Sequence, residues 1–319
     1  MKNTLLVILF FFIISCNNKS KVENAIEEIP VALKVVRFDQ DFFEAKPSEL
    51  QKLKKQYPFF FDPGTPDDYW IEKMQNKDWR DLYQATQTKF KDFNTQKQEI
   101  ETLFKHIKYY FPQVITPTVY TLISEVNPDT KAIYANDKLL IAIELYLGKD
   151  TKFYQPFPQY LKANFEPRQM MPDIAQSFAY GILKPPTDET LLSLMIYSGK
   201  ELYLKDLLLP DYTDAEKIGY TQDQLKFCQE NEQYIWTRFI EDKLLFSSES
   251  KLANRFINPA PFSKFYLEID NQTPGRIGQF TGWQIVRSFV ENNPEVALQD
   301  VLKLDAKQLF ERSKYKPKK

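Results

Sequence analysis

The apolar run 5–14 stops at Ser15-Cys16, and a single Lys at position 2 stands before it. A bilayer-spanning helix needs ~20 consecutive apolar residues. A short apolar stretch with a cation in front and a small residue behind is instead the pattern of a secretory signal. Everything after it therefore folds outside the cytoplasm, where disulfides form readily. Yet the chain has only 2 Cys, so if Cys16 is used otherwise, Cys228 has no partner within the chain. The body must hold together by packing alone.

Ile13-Ile14-Ser15-Cys16 has the make-up of a bacterial lipobox: branched apolar residues, a small residue, then the Cys that receives diacylglycerol. Signal cleavage leaves Cys16 first. The switch to Asn17-Asn18-Lys19-Ser20-Lys21 marks the edge of the membrane-seeking segment, and multiple acyl chains anchor stably where one does not. The expected organisation is signal peptide 1–15, lipidated tether 16–30, one globular domain 31–313 and a basic tail 314–319.

Composition narrows the function. With 26 Phe and 18 Tyr, the chain can build a large aromatic core. A formal net charge of -1 provides no basic surface excess, so nucleic acid is not an expected partner. There is 1 His. Zinc sites draw on several His or Cys, and a Ser-His-Asp arrangement could use only His106. His106, between Lys105 and Lys108, reads as a surface or boundary residue. No cofactor is expected.

Along the chain, 32–38 reads as a strand and Pro47-Ser48-Glu49-Leu50 opens a short helix. The Phe59-Phe60-Phe61 run reads as core plugs under a loop, with an exposed partner surface as the sharper alternative. Helices are expected over 68–75, 78–93 and 96–111. Strands follow over 114–126, 132–135 and 139–145. The remainder reads as helix: 172–183, 188–208, 214–246, 279–292, 294–304 and 305–312. This order implies an α+β fold, predominantly helical with a small antiparallel or mixed sheet.

Three constellations stand out. On a helix starting near Pro172, Asp173, Gln176, Ser177 and Tyr180 share one face. Gly275, Gly278 and Gly282 are three of only 8 Gly. They lack the spacing of a nucleotide loop, and their absent side chains suit close helix packing instead. Tyr197, Ser198 and Glu201 interrupt an apolar helix, in which Gly199 costs about 1 kcal/mol and so implies a packing reason.

Together these stretches resemble the gliding-motility lipoprotein GldB family of Bacteroidetes. Besides Cys16, the likeness rests on Arg37-Phe38-Asp39, Tyr57-Pro58-Phe59-Phe60-Phe61 and Leu103-Phe104-Lys105-His106. It continues through Tyr146-Leu147-Gly148-Lys149-Asp150, Pro172-Asp173-Ile174-Ala175, Leu194–Lys200 and Pro274-Gly275-Arg276-Ile277-Gly278, covering nearly the whole chain in one order. The resemblance implies a membrane-tethered, non-enzymatic part of the gliding and type IX secretion apparatus, with other envelope proteins as partners. A fainter likeness is to a gluzincin-like zinc metallopeptidase body, which carries H-E-x-x-H on one helix and a Glu on the next. Here Asp173, Gln176 and Ser177 stand near the first ligand positions and Ser198 near the last. This implies a zincin-like fold whose metal site is degenerate.

Two rival readings follow. One is an envelope hydrolase whose carboxylates, Asp173 and Glu201, surround a hard cation, since oxygen-rich sites suit Ca²⁺ or Mg²⁺. The other is a substrate-binding or chaperone-like lipoprotein. Residue 17 is Asn, not the Asp of a familiar inner-membrane retention signal, and Lys19 and Lys21 precede the first acid, Glu23. The expected location is a periplasm-facing body on the outer rather than the inner membrane.

Overall fold

The strand stretches alternate apolar side chains, and the sheet they build is covered on both faces except along its edge strand, where Ile133 is exposed. In the computed structural model, which describes residues 21–318, four strands form one mixed sheet. They are β1 (Lys34–Arg37), β2 (Thr118–Leu122), β3 (Ala132–Ala135) and β4 (Lys138–Ala142), in the order β1-β2-β4-β3. β1 and β4 run parallel to β2, and β3 returns antiparallel at the edge, with Ala132 opposite Ile141. The signal run 1–15, Cys16 and Lys319 lie outside the described residues.

The helices, in chain order, begin with α1 (Lys21–Glu27), α2 (Phe38–Glu44), α3 (Leu50–Gln56), α4 (Asp67–Gln75), α5 (Lys77–Lys89) and α6 (Asn94–Tyr110). After the sheet come α7 (Gln159–Lys162), α8 (Met170–Ile182), α9 (Leu191–Leu208), α10 (Asp214–Ile218), α11 (Gln222–Glu230), α12 (Glu232–Glu241) and α13 (Lys251–Phe256). The chain closes with α14 (Ile277–Asn292), α15 (Leu298–Lys303) and α16 (Ala306–Ser313). The class is α+β, predominantly helical, as the pattern implied.

Because side chains alternate across a strand, Val119, Leu139 and Ile141 face one apolar cluster, together with α6 and α8. Val36, Tyr120 and Leu122 face a second, built from α2–α5. A third lies around α14. α9 joins two of them: Leu204 and Leu208 enter the first, while Leu191, Met195 and Ile196 enter the third. Within the Phe run, Phe61 is buried and Phe59 is 46% exposed; Phe60 stacks on Phe38 with ring centroids 4.1 Å apart. The run is thus partly core and partly surface.

The Arg37-Phe38-Asp39 stretch locks β1 to its surroundings. Arg37 reaches Asp39 through Nη2 at 2.7 Å, Thr121 of β2 through Nε at 3.1 Å, and the Phe90 carbonyl through Nη1 at 2.8 Å. Its carboxylate partner is fully buried, with a side-chain exposure of 0% against 13% for Arg37.

Several boundaries differ from expectation. The described part of the stretch 16–30, expected as a tether, is packed on the body: α1 buries Ile26 and is held to α6 by Lys105 Nζ donating to the Glu27 carbonyl at 2.8 Å. The tail from 314 is not wholly solvated, since the Tyr315 hydroxyl donates to Glu232 at 2.8 Å and its ring packs edge-on against Trp236. The expected helix 214–246 is three helices. Gly219, at φ 68°, ends α10, and Thr221 opens α11 with a capping box to Gln224. The expected strand 139–145 ends at Ala142, where a 3-10 turn carries Glu144 inward. There Glu144 accepts hydrogen bonds from Ser124 N and Oγ at 2.9 and 2.6 Å.

Candidate functional site

Helix α8 lies along the edge strand β3 and presents the polar face that the sequence singled out. Its apolar side, with Met170, Met171, Ile174, Ala175, Phe178 and Ala179, is buried. Asp173 sits in the first turn, where the helix dipole favours an anion. It pairs with Lys131 Nζ at 2.6 Å and accepts the Tyr146 hydroxyl at 3.0 Å. Burial, then the Asp173 charge, pushes the Tyr146 phenol well above its ordinary pKa. Ser177 accepts the backbone N–H of Tyr134 in β3 at 2.8 Å, and Gln176 between them is half-buried. Tyr180 closes the face by stacking on Tyr197 of α9, rings 6.2 Å apart and inclined by 7°.

The second helix brings Tyr197 to this face, and burial, then the Glu201 charge, raises the pKa of both Tyr180 and Tyr197. Ser198 is buried. The Glu201 Oε1 lies 2.7 Å from Lys205 Nζ one turn on, with side chains 2% and 5% exposed. Lys205 also donates to the Lys217 carbonyl at 3.1 Å. The two carboxylates considered for a hard cation each already hold a lysine. His106 is buried rather than superficial, with Nδ1 3.2 Å from the Leu207 carbonyl. Burial lowers its pKa, outweighing the attraction of Glu23.

A zinc ion of the kind the metallopeptidase likeness implies does not suit these groups. The positions offer a paired carboxylate, an amide and two hydroxyls, where zinc prefers thiolate and imidazole. Among the described residues no group of three His, Cys, Asp or Glu side chains could hold a metal.

The glycines mark where α9 and α14 cross. A Cβ on Gly282 would stand 1.8 Å from the Met195 carbonyl oxygen, and one on Gly199 2.3 Å from the Gly282 carbonyl oxygen. Gly278 meets Phe256 and Ile257, and Gly275 the Ala260 backbone. Gly278 and Gly282 thus pack α14 against α13 and α9, with Gly199 the counterpart of Gly282 across the crossing, whereas Gly275 precedes the helix and meets a loop rather than a helix.

Two features escaped the sequence reading. Arg287 of α14 grips Asp206 of α9 and Asp214 of α10, each through two hydrogen bonds of 2.7–2.8 Å, and Trp283 Nε1 donates to Asp206 at 2.9 Å. Nothing local announces partners this far apart in sequence. Lys200 is buried, its Nζ donating to the carbonyls of Leu302 and Leu304 at 3.0 and 2.6 Å. A signal did exist here: a lysine one turn after Ile196, on the buried side of an apolar helix.

The family model for gliding motility protein GldB matches residues 19–317. The chain belongs to the GldB family. The match takes in the whole described body, from α1 through the edge strand and the α8–α9 pair to the end of α16. No curated protein and no solved structure matches the chain. Membership of the GldB family makes this a gliding-motility protein. Among the described residues no helix is long and apolar enough to cross a membrane.

Proposed function

We propose that this chain is a non-catalytic component of the gliding machinery and of the type IX secretion associated with it. It is held to the membrane by acyl chains on Cys16 and works by binding other envelope proteins. The observation that carries the non-catalytic reading is the internal closure of the α8–α9 polar groups. Asp173 pairs with Lys131, Ser177 bonds to β3, and Glu201 pairs with Lys205. A peptidase would leave those positions open to metal, water and substrate. The lipobox supports the anchor. With α1 docked from Lys21, residues 17–20 reach at most roughly 14 Å, which keeps the body beside its bilayer. Asn17 and the basic residues that follow favour the periplasmic face of the outer membrane.

The test is complementation of cells lacking the protein. Cys16→Ser should abolish palmitate labelling, detergent partitioning and gliding, while Asp173→Asn should glide normally. Loss of gliding in Asp173→Asn at unchanged protein level and melting temperature would replace this reading with the hydrolase one. Protease added to intact cells should leave the protein whole and cut it once the outer membrane is opened.

A further inference from the structure

A cavity of about 520 Å³ opens between the end of α8, the start of α9 and the α15–α16 corner. Ligand-holding clefts of drug-sized molecules span roughly 300–1,000 Å³ and are mostly apolar, with a few placed polar groups. This one has that volume, but polar and charged side chains make up about half of its lining, more than such clefts usually carry. Phe111, Ile182, Ile196 and Leu302 supply apolar wall, and Pro185-Pro186 stiffen its edge.

Its charges are unevenly committed. Lys184, Lys200, Lys303 and Lys307 line it against two acids, Asp188 and Asp305. Both acids are engaged in backbone capping: Asp188 accepts from Thr190 N at 3.3 Å, and Asp305 from Gln308 N at 2.8 Å. Lys303 and Lys307 have only loose, exposed pairings away from the cavity, with Asp300 at 3.7 Å and Glu311 at 4.0 Å. Such pairs hold little energy. At the wall, Lys200 is 8% exposed, and its ammonium meets two carbonyls. An ammonium has three donors, and the described residues give the third no hydrogen-bond acceptor. Burial lowers Lys200 to about 8, with Asp305 opposing, as expected of a cation short of compensating charge.

We infer that this cavity binds a small amphipathic anion, an apolar chain ending in a carboxylate. The carboxylate accepts the remaining Lys200 N–H, the lysine rim draws it in, and the chain lies against Phe111, Ile182, Ile196 and Leu302. A fatty acid and the free C-terminus of an apolar peptide both have this chemistry.

The test is a fluorescence titration of residues 17–319 with 11-(dansylamino)undecanoate at low salt. Saturable one-to-one binding is expected. Lys200→Met should weaken it on the order of tenfold or more, the loss of one charge-assisted hydrogen bond. Because Lys200→Met also uncaps α15, the exposed reversal Lys184→Glu with Lys303→Glu is measured beside it. That variant should weaken binding by a similar factor at unchanged melting temperature. Dodecanoate should displace the probe where dodecanol does not. Displacement by acetyl-Leu-Leu-Phe with a free C-terminus, but not by its amide, would assign the carboxylate to peptide; displacement by dodecanoate alone would assign it to lipid. Absence of saturable binding, or binding indifferent to the charge reversal, overturns the inference.

Discussion

Adding one methyl group at Gly282 should separate the two central helices. In an isolated helix, Gly→Ala is favourable by about 1 kcal/mol. Here the new Cβ would stand 1.8 Å from the Met195 carbonyl oxygen and 2.4 Å from its carbon, whereas ordinary van der Waals contact begins at 3.4 Å. The obstacle is backbone, so no rotamer change relieves it. α9 and α14 must part by more than an ångström around the buried Trp283, Ile285 and Val286. A gap of 0.5–1 Å already forfeits a quarter to a half of a dispersion contact. Overpacking of this kind costs about 1–3 kcal/mol, enough to outweigh the propensity gain. Gly181, near the end of α8, is the internal control, because a Cβ there meets nothing within 4 Å. Gly181→Ala should therefore stabilise by roughly 0.5–1 kcal/mol. Urea unfolding of residues 17–319, with midpoints compared at constant m-value, should give the two variants opposite signs. Equal signs would refute the close crossing, because propensity alone would then govern both sites.

Burial raises the Glu144 carboxyl to about 7. An acid whose folded pKa lies above its unfolded value contributes stability below the unfolded pKa and loses it as pH rises through the folded one. The Glu144 contribution should therefore fall between about pH 4.5 and 7, and Glu144→Gln should remove that part of the pH dependence in urea melts. Asp39→Ala should cost about 3–5 kcal/mol by stranding the Arg37 guanidinium, measured by thermal unfolding; a cost under 1 kcal/mol would show the pair to be dispensable. Cys228 is buried and its thiol is pushed up mainly by that burial. It should resist a thiol reagent in the native protein and react stoichiometrically in denaturant; fast native labelling would show that this part of the body opens.

What the sequence disclosed, and what it hid, divides by the distance over which each signal acts. The helices α6, α8 and α14 were legible because an apolar stripe is a property of neighbours three and four apart, and α9, buried nearly all round, because its apolar run is too long for a strand. Strand β3 was located residue for residue. The break of 214–246 is legible too: Thr213-x-x-Glu216, Gly219 and Thr221-x-x-Gln224 spell two capping boxes and a left-handed stop. The end of β4 was not legible. Leu139–Leu145 has strand composition throughout, and the chain leaves the sheet where Glu144 meets Ser124, a partner in the loop after β2. The polar face of α8 shows the same limit in the functional direction. Spacing alone placed Asp173, Gln176 and Ser177 together, and a shared face is equally compatible with an open site and a closed one. What separates the two is the supply of partners from β3, from the residue before it and from the turn after β4: Tyr134, Lys131 and Tyr146. A cation and a hydroxyl both aimed at Asp173 stabilise its charge inside the protein, and that is the arrangement of a carboxylate used to fasten a helix to a sheet. The Lys200 cavity presents the opposite case, a buried charge with a donor still to be matched.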